Sequence, residues 1–378
     1  MPVPLLFFIA DTGGGHRNAA KAVSQALDRA YPGRFAPVLC DPLSGPGAGR
    51  LLRWVVGLYG PTIRRAPWLW GAAYHASDSP LAMALLWRTV LRLARAPAAA
   101  AVAAHRPAAI VSFHPLTGIA AISARDLTKH EVPVATVVTD LVSVHAAWRS
   151  ADVDLVIAPP ARPPVTREFW SGPPRPGERA ILRRALGLRE HRLTVVLTGG
   201  GEGCGGIGRR AAAILRRFGD VGVVAVCGRN LRLKCRLDRL AARYAGRYAG
   251  RLTVIGFTDN MAGLLRCADL VVTKAGPGTI AEAACCGAPL LLTSHLPGQE
   301  RGNTEFVTAA GAGLRVRGVR RLLAEIGRLR ADRAALDAMR AASAGLGRPD
   351  AAGATAGLIA TLAQPRAESE QPEWSRAW

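Results

Sequence analysis

The chain has 378 residues, more than one hydrophobic core usually organises, so two domains are expected; 49% apolar and 6% aromatic residues suit a globular α/β protein. Lys and Arg number 49 against 27 Asp and Glu, a formal charge of +22 carried almost wholly by Arg, which favours nucleic acid, an acidic membrane surface or a phosphorylated substrate. The seven cysteines contain no Cys-x-x-Cys pair, which argues against a disulfide framework or a zinc site, and no run of 18 uncharged apolar residues could form a transmembrane helix.

The N-terminal "PVPLLFFIA" lacks a basic leader and a cleavage site, so it reads as a first strand and not a signal peptide. A glycine turn follows it, then a helix over 16–31. Further strands are expected at 37–40, 108–113, 134–140 and 155–159, each a continuous apolar run. Runs of this kind separated by helices indicate a parallel sheet covered on both faces. Seven prolines between 158 and 179 cannot continue a helix or fill a central strand, which sets a boundary there. The pattern then restarts, with strands at 193–201, 221–228, 252–257, 270–276 and 289–294. Helices are expected at about 207–218 and 231–245, from 278, and again, one or two, over 319–345. The domains are therefore 1–160, a linker over 161–179, 180–345, and a small-residue helix with a polar tail over 346–378. Two open α/β domains place a ligand in the cleft between them, at the carboxyl ends of the strands.

The most informative segment is "TKAGPGTIAEAACCGAPLLLTSHLPGQERGN", residues 273–303. Gly276 and Gly278 leave the backbone open after a strand, and Thr279 enters a helix whose free N–H groups and dipole suit an anionic diphosphate. Glu282 lies one turn further on the same face, placed to accept hydrogen bonds from ribose hydroxyls. Gln299 and Glu300 supply an amide and a carboxylate that can grip sugar hydroxyls.

With "GGGEG" (199–203), "CGRN" (227–230) and "GFTDNM" (256–261), this segment resembles the C-terminal half of monogalactosyldiacylglycerol synthases. The first half agrees through "DTGGGHRNAA" (11–20), "SFHPL" (112–116) and "TVVTDLVSVHAAW" (136–148). The resemblance covers roughly residues 5–320 and implies an inverting GT-B glycosyltransferase, with two Rossmann-like domains facing each other across a cleft. It implies a UDP-sugar on the second domain, its diphosphate near Gly276, Gly278 and Thr279, its ribose on Glu282, and its sugar on Gln299 and Glu300 with Asn303 nearby. Phe257 and Thr258 are expected at the uracil, and Gly200, Gly201 and Glu202 beside the diphosphate, with Arg229 and Lys274 as counter-charges.

The first domain is implied to receive diacylglycerol, with Gly14 and Gly15 opening a path to the base. His16 is the favoured base, since an acceptor hydroxyl must lose a proton and a neutral imidazole at a helix start suits that task; the alternative is a cap or acceptor-positioning residue. Asp140 is the rival base or an orienting partner, and His114 and His145 are acceptor-side or structural. Galactose is the favoured sugar, UDP-glucose or another UDP-sugar, processive transfer or another lipid acceptor the alternatives.

Residues 50–95 hold Trp54, Trp68, Trp70 and Trp87 with many Arg, including Arg64 and Arg65. Such composition fits an interfacial membrane contact or a helical wrap with a basic outer face; a diacylglycerol acceptor favours the membrane. Peripheral attachment to an anionic surface at the cytoplasmic face of the cell membrane is expected. "DVD" (152–154) mimics a metal-holding Asp-x-Asp, but it precedes an apolar strand away from both glycine turns; no metal or cofactor is expected. No nucleic-acid-binding module is recognisable, and "GGGEGCGG" lacks the later acidic residue of a dinucleotide fingerprint. The proline-rich stretch departs from the family pattern, which usually has a helix there.

Overall fold

The computed structural model of the chain describes residues 1–10, 14–45, 47–148, 152–158, 163–186, 188, 193–243, 246 and 250–364; the side chain of Arg64, prolines 159 and 160, and the tail fall outside the described residues. The first sheet contains β1 (Val3–Phe8), β2 (Phe35–Cys40), β3 (Ala109–Ser112), β4 (Val134–Val137) and β5 (Leu155–Ile157), in the order β2-β1-β3-β4-β5. The second contains β6 (Leu193–Thr198), β7 (Val221–Val226), β8 (Leu252–Ile255), β9 (Leu270–Lys274), β10 (Leu290–Ser294) and β11 (Gly313–Arg315), in the order β11-β10-β9-β6-β7-β8. All pairings are parallel. Both are open, doubly wound sheets, as the alternating pattern predicts.

Strand β1 shows why its run is apolar without alternation. Leu5, Phe7 and Ile9 pack on one face with Val23 and Leu27 of the helix Gly15–Ala30, while Leu6, Phe8 and Ala10 pack on the other with Leu43, Leu52 and Val102. Each of these Leu, Ile, Val and Phe side chains contributes roughly 1.5–3 kcal/mol by its burial. In the second domain Val195 and Leu197 face one core and Val196 the other.

The helix Ala351–Leu362 returns to the first domain, where Ala352, Ala356, Ile359 and Ala360 pack in the core of β1 and β3. Small side chains allow that close helix contact. A buried ion cluster ties the second domain together: Asp269, 2% exposed, accepts from Arg183 (2.6 Å), Arg340 (2.5 Å) and the Thr194 N–H (2.7 Å). It joins the helices Glu178–Ala185 and Arg333–Leu346 to the sheet. The region 319–345 is two helices, Gly318–Ala331 and Arg333–Leu346, and the short β11 had no counterpart in the sequence expectation.

In each sheet the order reverses once, between β1 and β3 and between β6 and β9. Loops leaving the two strands at such a point diverge and open a crevice. The histidines after β1 and β3, and the glycine turns after β6 and β9, sit at these two points.

Candidate active site

On the first domain Gly14, in the left-handed conformation at φ 84°, and Gly15 lead into the helix that carries His16. His16 Nδ1 lies 2.8 Å from the Phe113 carbonyl oxygen and 2.9 Å from Thr139 Oγ1. A carbonyl oxygen only accepts, so Nδ1 carries the proton and Nε2 holds the lone pair. The His114 ring stands edge-on to His16 with centroids 4.5 Å apart, and its Nδ1 accepts the Leu116 N–H at 3.2 Å. Burial holds His114 neutral, well below the ordinary imidazole range.

Asp140 lies beside this pair. Its Oδ2 accepts from Trp148 Nε1 at 2.6 Å, and the Trp148 ring centroid is 6.4 Å from that of His16. Burial pushes the Asp140 carboxyl up and the His16 imidazole down, which outweighs their mutual attraction and favours the neutral form of each. Thr139 and Trp148 were not assigned from the sequence, although both lie in the quoted segment 136–148. Only the strand order shows that they meet His16 and Asp140.

On the second domain the helix Pro277–Cys285 starts at Gly276 with no side-chain cap, and Pro277 occupies its first turn. The N–H groups of Gly278 and Thr279 therefore have no acceptor within the helix. A Cβ on Gly278 would meet nothing within 4 Å, so the space above this turn is open. The glycine turn after β6 interlocks with the one after β7. Arg229 N–H donates to the Gly201 carbonyl at 2.8 Å, and a Cβ on Gly203 (φ 59°) would lie 2.0 Å from the Cys227 carbonyl oxygen. Gly200 faces the Lys274 stem at 4.0 Å from its Cβ position. Glu202 belongs to the same turn.

The exposed Arg229 guanidinium lies over the Phe257 ring, 4.8 Å from its centroid, forming an aromatic-cationic shelf beyond β7 and β8. Thr258 Oγ1 accepts the Asn260 N–H there at 3.1 Å. Glu282 is pushed up to about 8 by burial and by the nearby Glu168 carboxylate. Lys274, expected as a counter-charge, and Glu300, expected as a sugar contact, pair with each other, Lys274 Nζ with Glu300 Oε1. Glu300 Oε2 also accepts the Leu296 N–H at 2.8 Å, so this carboxylate is built into its own loop. Asn303 donates to the Ala275 carbonyl at 2.9 Å and keeps a buried Oδ1 without a protein partner.

A side-chain hydrogen bond links the two halves: Gln299 Nε2 donates to Asp140 Oδ1 at 3.3 Å, while Gln299 Oε1 is buried without a partner. Residues 159 positions apart in sequence thus join the loop after β10 to the cluster of His16 and Asp140. The structure also places His145, the tryptophans and the Asp-x-Asp segment. His145 takes the structural alternative: its Nδ1 accepts the Ala147 N–H at 3.0 Å, and Nε2 reaches the Tyr74 carbonyl and Ser77 Oγ, each at 3.2 Å. It fastens the loop 141–148 to the helix Pro67–Ser77. Trp70 and Trp87 face inward, Trp70 against Tyr59 (centroids 4.8 Å apart) and Trp87 against the core, whereas Trp54 and Trp68 are 63% and 70% exposed beside an exposed Arg65. Asp154 of "DVD" is a fastener, accepting from Arg125 (3.0 Å) and the Val134 N–H (2.8 Å).

Two facing doubly wound domains with glycine turns at both switch points define a glycosyltransferase fold of the GT-B class. Solved structures agree: Acinetobacter baumannii MurG superposes with a TM-score of 0.59 at 16% identity, covering 95% of this chain and 100% of that one. Anabaena HepE, solved in complex with UDP-glucose, gives 0.53 at 16% identity over 96% and 97%. The family model for monogalactosyldiacylglycerol (MGDG) synthase matches residues 16–168, and that for the glycosyltransferase family 28 C-terminal domain matches 194–354. The chain is 30% identical over 335 residues to the Oryza sativa subsp. indica protein named probable monogalactosyldiacylglycerol synthase 2, chloroplastic, covering 82% of this chain and 70% of that protein. Against monogalactosyldiacylglycerol synthase 1, chloroplastic, of Arabidopsis thaliana it is 28% identical over 345 residues, 82% of this chain and 62% of the relative. The chain belongs to the monogalactosyldiacylglycerol synthase family.

Proposed function

We propose that this protein transfers a hexose, galactose in the first instance, from a UDP-sugar to the sn-3 hydroxyl of 1,2-diacylglycerol, with inversion at the anomeric carbon. The observation that carries the reading is the Gln299–Asp140 contact, which brings a family donor segment and a family acceptor segment to one point. In this reading the diphosphate lies on the N–H groups of Gly278 and Thr279, the ribose on Glu282, the uracil at Phe257 and Thr258, and the hexose against Gln299 and Asn303. Gln299 Oε1 and Asn303 Oδ1, both buried without partners, are acceptors for sugar hydroxyls. The lipid hydroxyl attacks the anomeric carbon, its proton passes to Nε2 of His16, and UDP departs from the opposite face with the bonding pair. Nδ1–H, held by the Phe113 carbonyl, keeps the ring in that tautomer.

The developing charge on UDP is met by the helix N-terminus and Lys274, so no metal is needed in this scheme. Activity is expected to persist in EDTA; complete loss restored by Mg²⁺ or Mn²⁺ would contradict it. Among the described residues no helix is long and apolar enough to cross a membrane. The exposed Trp54, Trp68, Leu81 and Leu85, with exposed Arg53, Arg65, Arg88 and Arg92, support peripheral attachment to an anionic membrane surface, at the cytoplasmic face of the cell membrane. The test is a vesicle assay with UDP-galactose: a monohexosyl lipid is expected only when diacylglycerol is present, and its absence under those conditions counts against the proposal.

A further inference from the structure

The helix Pro67–Ser77 has two different faces. Trp68 and Leu69 point outward, 70% and 48% exposed, while Gly71 and Tyr74 are buried against the second domain. A Cβ on Gly71 would lie 2.5 Å from Pro297 Cβ, and one on Gly298 would lie 2.4 Å from Tyr74 Cδ1. Both are backbone-to-side-chain contacts that only glycine allows, and Gly298 also holds the left-handed φ of 81°. The loop they press on, Leu296–Glu300, carries Gln299 and Glu300.

Tyr74 is fixed from its other side as well. The His145 ring packs 4.6 Å from the Tyr74 ring, centroid to centroid, and His145 Nε2 reaches the Tyr74 carbonyl. The ring therefore stands between a first-domain histidine and the backbone of the second-domain loop. By contrast, no contact described for Tyr74 reaches the turn Gly276–Thr279 or Glu282.

We propose that Tyr74 is a positioning residue for the donor sugar: its ring, set by His145 against Gly298, holds the loop Leu296–Glu300 so that Gln299 meets the hexose. The inference rests on the donor reading given above. Its consequence is selective, because the sugar loop depends on Tyr74 while the nucleotide turn does not.

Calorimetric titration with UDP, UDP-galactose and UDP-glucose tests this on wild type, Tyr74→Phe, Tyr74→Ala, Gly298→Ala and the Tyr74→Ala/Gly298→Ala pair, each checked for an unaltered melting transition. Tyr74→Ala is expected to weaken the preferred UDP-hexose about tenfold, leaving UDP within about twofold. Tyr74→Phe, which keeps the ring, restores wild-type affinity. Gly298→Ala repeats the Tyr74→Ala pattern, and the double variant loses less than the two single losses combined, since removing the ring makes room for the new Cβ. Equal losses for UDP and UDP-hexose, or no change in Tyr74→Ala or in Tyr74→Phe relative to each other, would overturn the positioning role alone. Failure of wild type to bind UDP or either UDP-hexose would overturn the donor reading and this inference with it.

Discussion

His16 has one nitrogen committed to the Phe113 carbonyl and one with a lone pair, in a setting where burial keeps the ring neutral. His16→Ala is expected to lower turnover by about 10²–10⁴-fold with UDP affinity nearly unchanged; unchanged turnover would remove it as the base. Because burial lowers its pKa, the imidazole stays a base on the acid side of its ordinary value. The acid limb of kcat/KM is therefore expected below pH ~6.5. Glu282 behaves oppositely. Folded, it holds its proton up to about pH 8, whereas the unfolded chain releases it near 4.5. Its contribution to stability is full below 4.5 and lost as pH rises through about 8. Glu282→Gln should thus melt above wild type at pH 8, with the difference vanishing near pH 5. Glu282→Ala should weaken UDP roughly tenfold; an unaltered affinity would sink the ribose assignment. His16, Asp140 and Gln299 were legible because each sits in a distinctive segment, and the contact between the last two was not. The tryptophans were half legible. Trp68 and Trp70 are two apart on one helix, roughly 200° around it, so one points out when the other points in. A list of Trp and Arg in a segment of short helices cannot show which is which.

The elements that position these residues were readable wherever an apolar run was long. β11 is three residues, Gly-Leu-Arg, and offers no run to detect. The glycine turns were visible as motifs, but their interlocking depends on β6 and β7 being neighbours. Asp269 illustrates the same point, since nothing local announces that its carboxylate will gather Arg183, Arg340 and the Thr194 N–H. Asp269→Ala removes the carboxylate shared by two nearly buried guanidinium groups, leaving Arg183 only the Cys267 carbonyl and Arg340 only Asp337, and is expected to cost about 3 kcal/mol in denaturant unfolding. A loss under ~1 kcal/mol would show that water or neighbouring groups replace the carboxylate.

For the whole molecule, the two-domain plan followed from length and from the restart of the strand pattern after the prolines. The return of the helix Ala351–Leu362 to the first domain did not, because an alanine-rich apolar helix fits either sheet. The charge of +22 is spread over both halves; on the helices between 50 and 95 exposed Arg coincides with exposed Trp and Leu. Binding to anionic vesicles is expected to weaken with rising salt and to drop severalfold in Trp54→Ala/Trp68→Ala. Trp87→Ala should instead lower the melting temperature, since Trp87 is packed against the core. Equal vesicle binding by the Trp54/Trp68 variant and wild type would move the membrane face elsewhere. That the cleft joined by Gln299 and Asp140 moves a hexose onto diacylglycerol is the proposal on which the rest depends. It is tested most directly by offering radiolabelled UDP-galactose, UDP-glucose, UDP-glucuronic acid and UDP-GlcNAc with diacylglycerol vesicles and analysing the lipid product. A labelled β-monohexosyl diacylglycerol is expected from one UDP-hexose with wild type, and almost none with His16→Ala. No labelled lipid from any donor, or equal product from both proteins, would contradict it.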